Sequence, residues 1–243
     1  MIMKKLSKDT LNSFRSDITS ILSSERLKSY KGNIQSYYAN RLLALKAGHK
    51  IAEIEIYLRN MLDFCLNTIE GESWIKNERS LKHIKQKTHT PLKDLTPSQI
   101  LSSLMFGEII DLIREYEVRH YMLDLENLDF QKYHWSNRNS GYLNGRKNRF
   151  SNVAKVNISL NLLRNIRNRA FHWENLLKTR ESNGIVYPRI THKEWGVKIG
   201  IPPEMILEFL DDLIDSINNE VIKDYQNVDI KGFKGGRQSA LRK

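Results

Sequence analysis

Residues 51–66 read Ile51-Ala52-Glu53-Ile54-Glu55-Ile56-Tyr57-Leu58-Arg59-Asn60-Met61-Leu62-Asp63-Phe64-Cys65-Leu66. Apolar residues recur here at separations of three and four, the period of an α-helix that lays one face on a core. Tyr38, Leu42 and Leu45 extend the stripe backward. The pattern predicts one long helix from about residue 34 to 68, with Gly48 as its one interruption. Glu55 and Arg59 stand at i, i+4 with the carboxylate first, the order that favours an ion pair along a helix.

Working outward, residues 9–28 carry a helical period through Leu11, Phe14, Ile18, Ile21 and Leu22, with Asp9 and Thr10 available as caps. Residues 71–94 are polar and lysine-rich and read as a loop with a helical turn. Thr96-Pro97 reads as a cap followed by proline at the first helical position, opening a helix that runs on through Ile113. Residues 126–152 turn polar and aromatic and include the basic cluster Arg146-Lys147-Asn148-Arg149. A central helix follows from about 153 to 178. Asn183-Gly184 then opens a loop to Pro188, and Pro202-Pro203 opens the last helix, with the stripe Met205, Ile206, Phe209, Leu210, Leu213, Ile214 and Ile217. The resulting expectation is an all-α fold: a bundle of long helices with irregular loops, one domain over residues 1–225, and a flexible, disordered basic tail over 226–243.

The 243 residues are 40% hydrophobic, enough to bury a core, and the counts of 12 Gly and 5 Pro leave long stretches unbroken. A single cysteine, Cys65, excludes an internal disulfide framework. No apolar h-region follows the N-terminal lysines, and no window reaches the length of a membrane span. These features predict a soluble, cytoplasmic chain. A net charge of +11 attracts polyanions, so nucleic acid is the expected partner, ahead of an anionic membrane surface.

Several chemistries are absent from the sequence. There is no phosphate-binding GxxxxGK[ST] loop, no GxGxxG, no HExxH and no GxSxG. Seven histidines, at 49, 83, 89, 120, 134, 172 and 192, have no second ligand at metal spacing. Neither a metal nor a cofactor is expected.

The densest polar face lies in Leu160-Asn161-Leu162-Leu163-Arg164-Asn165-Ile166-Arg167-Asn168-Arg169-Ala170-Phe171-His172-Trp173-Glu174. On a helix Asn165, Asn168 and His172 stack along one side, whereas Arg167 stands about 140° around the axis from His172. Two side chains so splayed converge only if a second copy of the helix crosses the first. Such a site suits metal-free RNA cleavage, because RNA supplies its own nucleophile, the 2′-hydroxyl. An imidazole can move the proton, and a guanidinium can grip phosphate oxygens. The same pattern also describes a histidine lining a helix interface beside a solvated arginine face, and spacing alone does not separate the two.

Three segments in order resemble the Abi-like proteins of bacterial abortive infection, in the HEPN superfamily. They are Ala52-Glu53-Ile54-Glu55-Ile56-Tyr57-Leu58-Arg59-Asn60, Leu101-Ser102-Ser103-Leu104-Met105-Phe106-Gly107-Glu108 and Ile166-Arg167-Asn168-Arg169-Ala170-Phe171-His172-Trp173-Glu174. Met105 and Glu108 depart from the commoner residues, and Trp173 stands where a second histidine is frequent. The resemblance implies a dimeric helical ribonuclease of the RNxxxH type, with Arg167, Asn168 and His172 as catalytic candidates.

Arg59, Arg146, Lys147, Arg149, Arg164 and Arg169 are candidates for RNA contact, the cluster at 146–149 having Tyr142 and Phe150 nearby for base stacking. Tyr133-His134-Trp135 reads as local packing. Trp173, Trp195 and Tyr187 are candidates for the cleft wall. Two other readings stay open: a non-catalytic RNA-binding protein carrying a small noncoding RNA, and a structural, antitoxin-like helical dimer.

Overall fold

The longest helix begins where the side chain of Asn33 accepts the backbone N–H of Ser36. It spans Ile34–Glu70 (α4) without a break and ends at Gly71, whose φ of 88° suits a residue without a Cβ. The computed structural model describes residues 6–86 and 89–225. The basic tail foreseen for 226–243 lies outside them.

Before α4, three short helices replace the single one expected over 9–28: α1 (Lys8–Ser16), α2 (Ile18–Leu22) and α3 (Ser24–Lys28). Asp17 and Ser23 break the run because each turns its side chain back to cap the helix after it. After α4 come α5 (Glu78–Leu81), α6 (Pro97–Ser103), α7 (Phe106–Glu115) and α8 (Arg119–Met122). Thr96 and Gln99 form a reciprocal capping box at α6, with Pro97 inside it. The helix foreseen to continue through Ile113 stops at Leu104-Met105. There the buried Glu108 accepts the backbone N–H groups of Met105 and Lys85, at 2.7 and 2.8 Å, and so caps a new helix.

The all-α expectation is corrected by six strands, among the described residues, in three antiparallel hairpins. These pair β1 (Ser140–Leu143) with β2 (Arg146–Arg149), β3 (Thr179–Ser182) with β4 (Ile185–Pro188), and β5 (Ile190–Glu194) with β6 (Val197–Ile201). The fold is therefore mixed, though mostly helical. Each hairpin closes through a two-residue turn with both φ angles positive: Asn144-Gly145, Asn183-Gly184 and Trp195-Gly196. That is the turn whose twist matches paired strands. Strands β2 and β3 expose every residue, so neither carries an alternation of apolar and polar residues in the sequence. Gly141 on β1 lets the hairpin press against the β5–β6 turn. A Cβ there would lie 2.7 Å from Trp195, whose carbonyl accepts the N–H of Tyr142.

Helix α9 (Asn152–Phe171) and α10 (Ile206–Asp215) both pack on α4, and α11 (Glu220–Tyr225) comes last. The core runs through Ile51, Ile54, Leu58, Leu62 and Leu66 of α4, Ile109 and Ile113 of α7, Leu162, Leu163 and Ile166 of α9, and Phe209 and Leu213 of α10. Tyr38, Leu42 and Leu45, read as part of the buried stripe, are exposed instead. In this half of α4 the small residues Ala44 and Ala47 face inward and let the neighbouring segments approach closely.

Helix α9 stops seven residues earlier than foreseen. The N–H of Glu174 donates to Arg169 O at 2.8 Å and that of Trp173 to Ala170 O at 3.1 Å. These bonds form a Schellman closure in which Trp173 takes the left-handed position at φ 55° usually given to glycine. Asn40 of α4, 1% exposed, fixes the segment just beyond the helix: it donates to Glu174 O at 3.0 Å and accepts from the Leu176 N–H at 2.7 Å. Asn40→Ala leaves both backbone groups without partners and costs about 2 kcal/mol. Urea unfolding checks this, and the residues around His172 become the first to lose hydrogen-exchange protection.

Candidate functional site

The end of α9 carries the residues singled out in the sequence. His172 is the C-terminal cap, and both it and Asn168 are exposed. Arg167 is mostly buried, at 26% exposed, and points to α4. Its Nε lies 3.6 Å from Glu55 Oε2, and its guanidinium sits 4.9 Å over the Phe171 ring. Glu55, 16% exposed, also pairs with Arg59 at 3.5 Å. Arg59 in turn donates to Leu104 O at 3.1 Å, at the carbonyl that ends α6. One carboxylate thus joins the three segments that the sequence set apart: α4, the α6–α7 break and the end of α9. Glu55→Ala leaves two guanidiniums facing each other without a counter-charge and lowers stability by about 1–3 kcal/mol in urea unfolding. Arg59→Ala then costs less in that background than alone.

His172 leaves α9 on a different side. It lines a groove of about 440 Å³ with Arg26 and Ser29 from the α3 region and with Lys178 and Arg189 at the base of the β3–β4 hairpin. The imidazole makes no hydrogen bond among the described residues. The groove's carboxylates are already engaged: Glu25 pairs with Lys28 at 2.7 Å and Glu174 with Arg169 at 2.7 Å. That leaves Arg26, Lys178 and Arg189 without an ion pair among the described residues. Three uncommitted cations beside an open imidazole form an anion-attracting surface. Trp173 closes one edge, its ring 5.8 Å from the Arg41 guanidinium, which also stands 6.0 Å from Tyr37 and 5.8 Å from Tyr38.

The other candidates are dispersed. Arg169 is engaged with Glu174, and Arg59 with Glu55 and Leu104. Arg146, Lys147 and Arg149 lie exposed on β2, just before the start of α9. A 20-residue helix is about 30 Å long, so they stand at the far end of α9 from His172. Arg164 lies midway, beside Arg114 of α7. Burial first, and then the neighbouring Arg164, pull the Arg114 guanidinium below its ordinary value. Arg114 donates to Asn157 at 3.2 Å, Asn157 donates to Glu194 at 2.7 Å, and Glu194 meets His192 at 3.2 Å. This network pins β5 to α7 and α9. Burial alone would raise the Glu194 carboxyl, but bonds from His192 and Asn157 hold it below its usual range.

Arg26, Lys178 and Arg189 were not foreseen, because no local pattern links residues so far apart in the chain. The packing read for Tyr133 is correct, but Trp135 is 61% exposed. Among the described residues, no group of three or more His, Cys, Asp or Glu is placed to hold a metal ion. No helix among them is long and apolar enough to cross a membrane. No family model, no curated protein and no solved structure matches this chain.

Proposed function

We propose that this protein is a metal-independent endoribonuclease whose groove at His172 binds and cleaves RNA in the cytoplasm, in bacterial abortive-infection defence or as a toxin. The observation that carries the reading is the open imidazole of His172 amid Arg26, Lys178 and Arg189, three cations with no ion pair among the described residues. The ordered resemblance of three segments to Abi-like HEPN proteins supplies the biological setting. In the reaction, the 2′-oxygen bonds to phosphorus as the bond to the 5′-oxygen breaks. The 2′-hydroxyl proton leaves to a base, and the 5′-oxygen gains one. His172 carries one of these protons, the groove cations hold the phosphate, and Asn168 on the same face orients it.

A second copy of the chain completes the site. Arg167 and His172 leave α9 on different sides, so Arg167 reaches a phosphate only in the neighbour's groove and only on release from Glu55. The outward face of α4 suits such a contact: Ile34, Tyr38, Leu45 and Ile56 are all exposed along one side, near Arg41 and Trp173. Leu45→Asp converts the dimer to a monomer in sedimentation velocity with no loss in melting temperature. An unchanged sedimentation coefficient for the variant would reject this face.

A non-catalytic RNA-binding role, with a small noncoding RNA held in the same groove, is the second reading. The hold of Glu55 on Arg167 favours it, as does tryptophan at position 173. One experiment separates the two. Wild type and His172→Ala are incubated with structured RNA in excess EDTA, and the ends are analysed. The nuclease reading expects 2′,3′-cyclic phosphate ends from wild type and at least about a hundredfold slower cleavage by the variant. Intact RNA retained equally by both supports the binder.

A further inference from the structure

A second concave surface lies away from His172, between the β3–β4 and β5–β6 hairpins. It is a cleft of about 560 Å³, the size range of small-ligand sites, lined by the cations Arg180 and Lys198, the carboxylate Glu181, and Tyr187 and Pro188 among others. Its floor is rigid. Asn137, 1% exposed, accepts from the Gly200 N–H at 2.8 Å and donates to Gly200 O at 2.9 Å and Phe130 O at 2.8 Å. Tyr187 lines it, and two further rings gather beside Tyr187 at tilted angles: Trp135 stands 5.9 Å from Tyr187 and 5.4 Å from His134, and His134 stands 6.2 Å from Tyr187. Trp135 is 61% exposed, an unusual placement for the largest apolar side chain. Arg180 makes only long bonds to Pro188 O, at 3.3 and 3.4 Å, so its guanidinium retains donors for a ligand.

We infer that His134, Trp135 and Tyr187 form a stacking platform for an unpaired nucleobase of single-stranded RNA, with Arg180 and Lys198 holding the adjoining phosphate. Aromatic faces beside cations are how proteins grip single strands without reading their sequence. A base inside a duplex has both faces covered, so the platform selects unpaired RNA. It also lies on a path from the first groove. Lys178 lines the His172 groove and Arg180 lines this cleft. Two residues along a strand advance about 7 Å, so nucleotides of one strand reach both. On the other side of the same hairpin, Arg189 faces the first groove and Pro188 the second.

The inference rests on the RNA-acting reading but not on cleavage, and its test separates the two. Binding of a labelled eight-nucleotide single-stranded RNA, and of the same sequence as a blunt duplex, is measured by fluorescence anisotropy in the His172→Ala background. The single strand binds more tightly than the duplex. Adding Trp135→Ala weakens single-strand binding about tenfold, whereas adding Trp135→Phe retains most of it. Because Trp135 is exposed, its replacement leaves the melting temperature unchanged. Equal single-strand affinity with and without Trp135→Ala would overturn the platform, as would equal affinity for single strand and duplex. If wild type fails to cleave RNA but binding still depends on Trp135, the nuclease reading falls and the platform stands.

Discussion

A carboxylate largely withdrawn from water must find positive charge, and Glu55 finds two guanidiniums on different parts of the chain. Arg59 is one turn along its own helix, and Arg167 comes from α9, more than a hundred residues later. Removal from solvent strengthens both attractions and makes the loss of either partner costly. Because Arg59 also holds the carbonyl that ends α6, the crossing of α4 and α9 and the break before α7 are set together. The register of α9 is fixed by the same contacts, and with it the direction in which Asn168 and His172 project.

A second constraint acts at the end of α9. Trp173 adopts a left-handed conformation that a bulky side chain takes at a cost of about 1 kcal/mol or more. The surroundings enforce it: Asn40 holds the chain just beyond, Arg169 pairs with Glu174, and Arg41 stands over the indole. The strained turn stops the helix at His172 and swings Lys178 and the β3–β4 hairpin back beside it. Without that turn α9 would continue, and the groove would lose its hairpin wall. The placement of an exposed histidine beside cations that have no ion pair among the described residues is thus a product of buried polar contacts on α4.

Elements whose causes are local were legible in the sequence. Asn33 caps α4 and Gly71 ends it, so the helix foreseen over 34–68 lies at Ile34–Glu70. Thr96, Pro97 and Gln99 mark the start of α6 as foreseen. Features that depend on distant partners were not legible. The apolar period runs straight through Leu104-Met105, and only the buried Glu108, capping from within, reveals the break. Asn183-Gly184 was legible as the opening of a loop, but strands exposed on both faces carry no alternation to announce a hairpin. The site divides in the same way. Arg167, Asn168 and His172 share one helix and could be read together, whereas Arg26 and Arg189 meet His172 only after folding. Arg59, read both as the ion-pair partner of Glu55 and as a candidate RNA contact, makes that pair and belongs to the packing that holds the site in place.

The proposed function places RNA on the face formed by α3, the end of α9 and the β3–β4 hairpin, although the chain carries other exposed cations, notably on β2. Photo-crosslinking of RNA containing 4-thiouridine to the full chain, with the attached peptides mapped by mass spectrometry, tests this most directly. The expected adducts fall within residues 23–30, 172–178 and 187–189. Adducts confined to the β1–β2 hairpin, with none near His172, would contradict it.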